Sequence, residues 1–222
     1  MFAMKTKSDL IIPHSREESK PAFLERFLYL PKRGFDHKGA SKIDWNHLFD
    51  RPAPIYVEVC SGNGQWIGEQ AKERRDLNWV AVELDFARAR KIWLKSFRED
   101  LPNLYVVCGE GITFLTHYVE RGSVSEVFVN FPDPWPKRRH AKNRLIQAPF
   151  VSAVRDVLHE RGCVTLATDD PPCRAQMEEQ FGTELELISS EQDVASYGDS
   201  FFASLWKSKG KNLFYLKYRK KS

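Results

Sequence analysis

The most chemically loaded stretch of the chain is Asn130-Phe131-Pro132-Asp133-Pro134-Trp135-Pro136-Lys137, followed by Arg138, Arg139, His140, Lys142 and Arg144. Three prolines within five residues keep the backbone extended and stiff. A carboxylate and an indole presented on such a loop lose little entropy when a ligand arrives. Trp135 offers a face on which a base can stack. Asp133 offers an acceptor for base N–H groups or a negative charge beside a reacting centre. Lys137, Arg139, Lys142 and Arg144 are suited to phosphates.

A second cluster lies upstream. Glu58-Val59-Cys60-Ser61-Gly62-Asn63-Gly64 is followed by Glu83, nineteen residues past Gly64, and then by Gly109-Glu110-Gly111. Gly62 and Gly64 permit a tight turn and a close approach of backbone to ligand. A helix starting there would add free N–H groups and a positive dipole end. Glu83 is spaced to accept both hydroxyls of a ribose, and Glu110 to accept from an adenine amino group. Two ligands fit this set, a dinucleotide and S-adenosylmethionine. A carboxylate at Glu58 repels a pyrophosphate but suits the ammonium and sulfonium end of S-adenosylmethionine, which is therefore the favoured cofactor. A dinucleotide-dependent oxidoreductase stays as the alternative.

Both clusters need strand ends to hold them. Strand-like runs at 55–59, 79–84, 104–108, 124–130 and 163–168 alternate with helical segments at 64–75, 86–100, 112–121, 144–160 and 172–181, with Gly122 and Gly162 closing two of the helices. Strands separated by helices of this length predict an α/β fold with a mainly parallel, doubly wound sheet. Further strands at 184–188 and 212–218, joined by a loop-like stretch, predict an antiparallel C-terminal edge. In such sheets ligands bind at the carboxyl ends of strands, where both clusters fall. Residues 1–45, broken by Pro13, Pro21, Pro31 and Gly34, read as an N-terminal arm with a short helix or two, and 46–222 as the main domain.

The net charge of +4 hides an asymmetry. Residues 137–144 carry five Lys/Arg and 204–222 carry seven, with no acid in either. The remainder has 22 basic against 30 acidic residues, or −8. An acidic body with two basic patches points to a polyanionic partner, nucleic acid. The tail by itself reads as a solvated surface.

Several classes are disfavoured. No run of 18 apolar residues suggests a membrane span, and the N-terminus lacks a secretory core. Cys60, Cys108, Cys163 and Cys173 show no C-x-x-C spacing, and the six histidines no ligand spacing, so no metal is expected. A reduced, cytoplasmic protein is the expectation. Met4 is a candidate true start.

Residues 131–144 resemble the distinctive motif of the tRNA (guanine-N7)-methyltransferase family, F-P-D-P-W-x-K-x-R-H-x-K-x-R, and the resemblance extends over about 25–218. It implies a class I, Rossmann-like S-adenosylmethionine-dependent fold and methyl transfer to guanine N7 in the variable loop of tRNA, by a monomer or homodimer. It implies cofactor-binding acids at Glu58, Glu83 and Glu110, a catalytic carboxylate that also faces the cofactor at Asp133, and substrate contacts at Lys137, Asp169 and the run Arg139, His140, Lys142 and Arg144.

Two positions depart from the family pattern. Cys60 replaces the first glycine of the cofactor loop, so it must avoid a positive φ or bear strain. In the C-terminal T-x-F-E motif, Ser200 can keep the hydroxyl but Ala203 cannot replace the glutamate, and Asp199 is the nearest substitute acid. An amino-group methyltransferase, which uses D/N-P-P-aromatic where this chain has Asp133-Pro134-Trp135, and a non-catalytic RNA-binding module are the remaining alternatives.

Overall fold

A computed structural model describes residues 5–11, 19–198 and 200–221. Met4, Pro13, His14 and Asp199 lie outside them. The chain forms two compact units, Met1–Glu120 and Arg121–Ser222.

In the first unit, β1 (Ala22–Leu24), β2 (Phe27–Tyr29), α1 (Trp45–Leu48), β3 (Ile55–Val59), α2 (Gln65–Glu73), β4 (Asn78–Glu83), α3 (Phe86–Arg98), β5 (Leu104–Cys108) and α4 (Gly111–Tyr118) follow in order. Its strands lie in the order β1-β2-β5-β4-β3. β3, β4 and β5 pair in parallel, as the strand–helix alternation requires. All six residues of β4 are buried, which matches its nearly unbroken apolar run. Asp85 starts α3 by accepting from the Arg88 amide at 2.8 Å, and the helix buries Ala89, Ile92, Trp93 and Phe97. No helix among the described residues is long and apolar enough to cross a membrane.

Within the segment expected as an arm, short 3-10 turns at Lys7–Asp9 and His37–Gly39 fit the expected short helices, but 22–29 is a β-hairpin. β1 pairs antiparallel with β2, and β2 runs parallel to β5. Trp93 Nε1 donates to the Glu25 carbonyl at 2.8 Å. Arg26 donates to the Leu101 carbonyl at 2.7 Å with its guanidinium 4.1 Å from the Phe97 ring centre.

The second unit contains β6 (Val124–Asn130), α5 (Ala148–Val157), β7 (Leu158–Thr168), α6 (Pro171–Glu184), β8 (Leu185–Gln192), α7 (Phe201–Ser208) and β9 (Phe214–Lys220). The strand order is β6-β7-β9-β8. β6 and β7 are parallel, while β9 is antiparallel to both β7 and β8, so the expected antiparallel edge is present. Two details differ from expectation. The helix before β7 ends at Val157, where Leu158 turns extended, and Gly162 lies inside β7 rather than closing a helix. The stretch between the last two strands holds α7, capped by the Ser200 hydroxyl, which accepts from the Ala203 amide at 3.0 Å.

Candidate functional site

In the first unit the loop after β3 turns through three left-handed residues, Cys60 (φ 66°), Gly62 (φ 57°) and Gly64 (φ 71°). Cys60 therefore bears the positive φ that its side chain disfavours. Gly64 is required twice over, because a Cβ there would sit 2.6 Å from Ile92 Cγ1 of α3. The turn delivers the Gly62 amide to Glu83 Oε2 at 2.7 Å, while the Asp85 amide reaches Glu83 Oε1 at 2.9 Å. Each carboxylate oxygen is thus fixed by one backbone amide and keeps acceptor capacity for a further hydroxyl. Glu83 is only 7% exposed, and burial raises its pKa against the opposing pull of these two amides. Glu58 is 1% exposed within β3, so its carboxyl group underlies the loop instead of standing on it. Glu110 precedes α4 and pairs with Lys32 at 2.9 Å.

This set fits S-adenosylmethionine. A buried carboxylate held by amides is suited to two ribose hydroxyls, and the second acid, Glu58, is unsuited to a pyrophosphate. Four cysteines lie among the described residues. All four are thiols outside any disulfide, and burial pushes Cys108 up to about 12. Among the described residues no group of three or more His, Cys, Asp or Glu is placed to hold a metal ion.

In the second unit the proline loop leaves β6 with its backbone reversed at Phe131 (φ 49°) and Trp135 (φ 42°). The Phe131 amide still reaches the Ala167 carbonyl of β7 at 2.9 Å. Its ring packs on a small cluster of Ala167, Ala203, Leu213 and Tyr215. Just before it, Asn130 Oδ1 accepts from the Tyr197 hydroxyl at 2.6 Å. Ala203 is 1% exposed in that cluster. The site of the missing glutamate is therefore apolar packing beneath the loop.

Asp133 is exposed, as are Lys137, Arg139 and Lys142. The cations lie on or beside a 3-10 turn, Arg138–Asn143. Among the described residues, Lys137, Arg139 and Lys142 have no carboxylate partner. Two members of the run face inward. The His140 ring lies edge-on to Trp135 at 5.6 Å between centres. Arg144 donates to the Trp135 carbonyl from Nε and Nη2 at 3.3 and 3.2 Å and to Gln176 Oε1 from Nη1 at 3.2 Å. Arg144 thus positions the loop, a role that spacing alone did not reveal.

The second basic stretch is largely neutralised. Lys211 pairs with Asp169, Lys217 with Glu126 at 2.8 Å, Arg219 with Glu186 at 3.0 Å and Lys220 with Glu160 at 3.7 Å. Lys221 donates to the carbonyls of Gly182 and Thr183 at the end of α6. Asp169 is consequently held by a cation that also lies 4.0 Å from the Trp206 ring centre. Ser200 spends one acceptor site on the α7 cap and keeps its O–H for donation.

The strand order, the glycine turn and the ribose-type acid define a class I methyltransferase fold. The protein family described as "Putative methyltransferase" matches residues 52–213. The tRNA (guanine-N(7)-)-methyltransferase of Chlamydia abortus is 41% identical over 217 residues, covering 96% of this chain and 97% of its own. That of Chlamydia felis is 41% identical over 216 residues, 96% of each chain. The crystal structure of the 16S rRNA methyltransferase KamB superposes with a TM-score of 0.62 at 14% identity, covering 82% of this chain and 95% of its own; it supports the fold. The chain belongs to the tRNA (guanine-N(7)-)-methyltransferase family.

Proposed function

We propose that the protein transfers a methyl group from S-adenosylmethionine to N7 of a guanine in the variable loop of tRNA. The observation that carries this reading is the stiff loop of the second unit, which joins the exposed carboxylate of Asp133 to three exposed cations that have no acidic partner among the described residues. When bound, S-adenosylmethionine supplies an electrophilic methyl on its sulfonium. Guanine N7 has an in-plane lone pair and no proton, so the protein needs no base to prepare it. The work left to the chain is alignment and charge stabilisation.

In this reading Glu83 accepts the ribose hydroxyls, with Gly62 and Gly64 shaping the turn and Glu58 and Glu110 completing the cofactor set. Asp133 faces the base, where its charge stabilises the positive charge that develops on the alkylated ring. Lys137, Arg139 and Lys142 hold phosphates. Asp169, through the oxygen not taken by Lys211, and Ser200, through its O–H, are the polar contacts to the base. His140 acts by supporting Trp135, and Arg144 by fastening the loop. Residues 46–222, the methyltransferase domain, carry the residues that meet cofactor and substrate in this reading, and the work is placed in the cytoplasm. Both a monomer and a homodimer accommodate this chemistry.

The test is methylation of an unmodified tRNA transcript with labelled cofactor, followed by nuclease digestion and mass spectrometry. N7-methylguanosine is expected, with borohydride and aniline cleaving the strand at that base. A methyl on an exocyclic amine, or none at all, would overturn the proposal.

A further inference from the structure

The chain leaving β2 does not turn away from the sheet at once. The Leu30 amide donates to the Cys108 carbonyl at 2.8 Å, one residue beyond the strand. Leu30 also lies so near Gly109 that a Cβ there would be 2.7 Å from Leu30 Cβ. Pro31 and Lys32 therefore emerge beside the turn from β5 into α4. His37 fixes the far end of this segment, with one ring nitrogen 2.7 Å from the Tyr118 hydroxyl and the other 2.9 Å from the Pro31 carbonyl. Between these anchors Lys32 Nζ meets Glu110 Oε1 at 2.9 Å. The Glu110 carboxylate makes no cap bond to α4, and its other oxygen, Oε2, has a long contact from Thr113 Oγ1 at 3.5 Å.

We propose that Lys32 is a positioning residue of the cofactor site, holding Glu110 so that one carboxylate oxygen is presented to the adenine amino group. The inference rests on the cofactor reading above. The pair is wet, with side-chain exposures of 54% and 33%, so it contributes little to folding. Its effect is on choice. An ammonium only donates and a carboxylate only accepts. Lys32 fixes the orientation of the carboxylate through Oε1, and Oε2, with only the long Thr113 contact, is the more open acceptor for a ligand. A 6-amino purine donates to it, whereas a 6-oxo purine places an acceptor against it, and a site built to receive a donor rejects the analogue lacking one. Freed from Lys32, the glutamate would sample several rotamers and lose that selectivity.

The experiment measures, by calorimetry, binding of S-adenosylhomocysteine and of its 6-oxo counterpart, S-inosylhomocysteine. The proteins are wild type, Lys32→Met and Lys32→Arg. Wild type is expected to prefer the amino ligand about tenfold or more. Lys32→Met is expected to weaken that ligand about fivefold, leave the 6-oxo ligand unchanged and keep the wild-type melting temperature, while Lys32→Arg restores most of the preference. Unchanged affinity for the amino ligand in Lys32→Met, equal weakening of both ligands, or a melting temperature lowered by several degrees would each overturn the role. Failure of wild type to bind S-adenosylhomocysteine would instead overturn the cofactor reading.

Discussion

Arg144 holds the Trp135 carbonyl through two guanidinium nitrogens, at 3.3 and 3.2 Å. A cation nine residues beyond the indole thus closes the loop that carries Asp133 onto itself. Its charge is engaged with the protein, unlike those of Arg139 and Lys142. The run 137–144 therefore divides into exposed cations, proposed above to hold phosphates, and residues that shape the loop.

That division has a salt signature. Each phosphate contact adds about 0.7–0.9 to the slope of log K against log salt. Arg139→Ala and Lys142→Ala should each reduce the slope for tRNA binding by about that amount. Arg144→Ala should leave the slope about where it was and lower the single-turnover rate about 10- to 100-fold, because the loop loses its latch. A full unit of slope lost in Arg144→Ala would show that its guanidinium turns outward to phosphate.

Asp133 is exposed and lies outside the packed cluster under Phe131, so its removal should not unfold the protein. Asp133→Ala should slow single-turnover methylation about 100- to 1,000-fold, the usual loss when one preorganised electrostatic group is removed. A rate near wild type in folded protein would remove Asp133 from the chemistry.

Glu83 sets a pH dependence. Burial raises its pKa above the ordinary carboxylate value. The folded state therefore holds the proton more tightly than the unfolded chain. This contribution to stability is full below the unfolded pKa and is lost as pH rises through the folded one. Ribose hydroxyls need the ionised acceptor, so cofactor binding runs the other way and weakens as pH falls through the folded pKa. Calorimetry with S-adenosylhomocysteine from pH 8 downward should show affinity falling at a pH above the usual glutamate range, and Glu83→Gln should abolish that dependence.

The cofactor turn offers a pair of opposed substitutions. Gly64→Ala places a methyl against Ile92 at a left-handed backbone position and should cost about 2–4 kcal/mol. Cys60→Gly relieves a left-handed side chain at the expense of unfolded-chain entropy and should gain about 0.5–1 kcal/mol. Urea unfolding of both variants checks the signs, and Gly64→Ala melting like wild type would contradict the geometry.

Much of the sheet was legible because its signals are local. Val80, Ala81 and Val82 read as a buried strand without knowledge of distant residues, whereas α4 ends at Tyr118 and not at the Gly122 expected to close it, because Val119 already turns extended. The β1–β2 hairpin was not legible because its turn uses Glu25 and Arg26, not glycine or asparagine, and its anchors, Trp93 and Leu101, lie far along the chain. α7 is short and aromatic, although Ser200 before it and the left-handed Gly210 after it mark its ends. The candidate residues were visible as types and positions, but their commitments were not. The pairing of Lys211 with Asp169, like the inward turn of Arg144 toward Gln176, joins side chains separated by more than thirty residues.

Between Asn130 and Arg144 the chain has no glycine. Three prolines restrict the loop, Phe131 and Trp135 take up its two reversals, and Arg144 fastens it from behind. No glycine is there to serve as an easy hinge. Conformational adjustment in the encounter therefore falls to the nucleic acid: the guanine must come out to a surface that is already set, and the entropy of ordering is borne by the RNA.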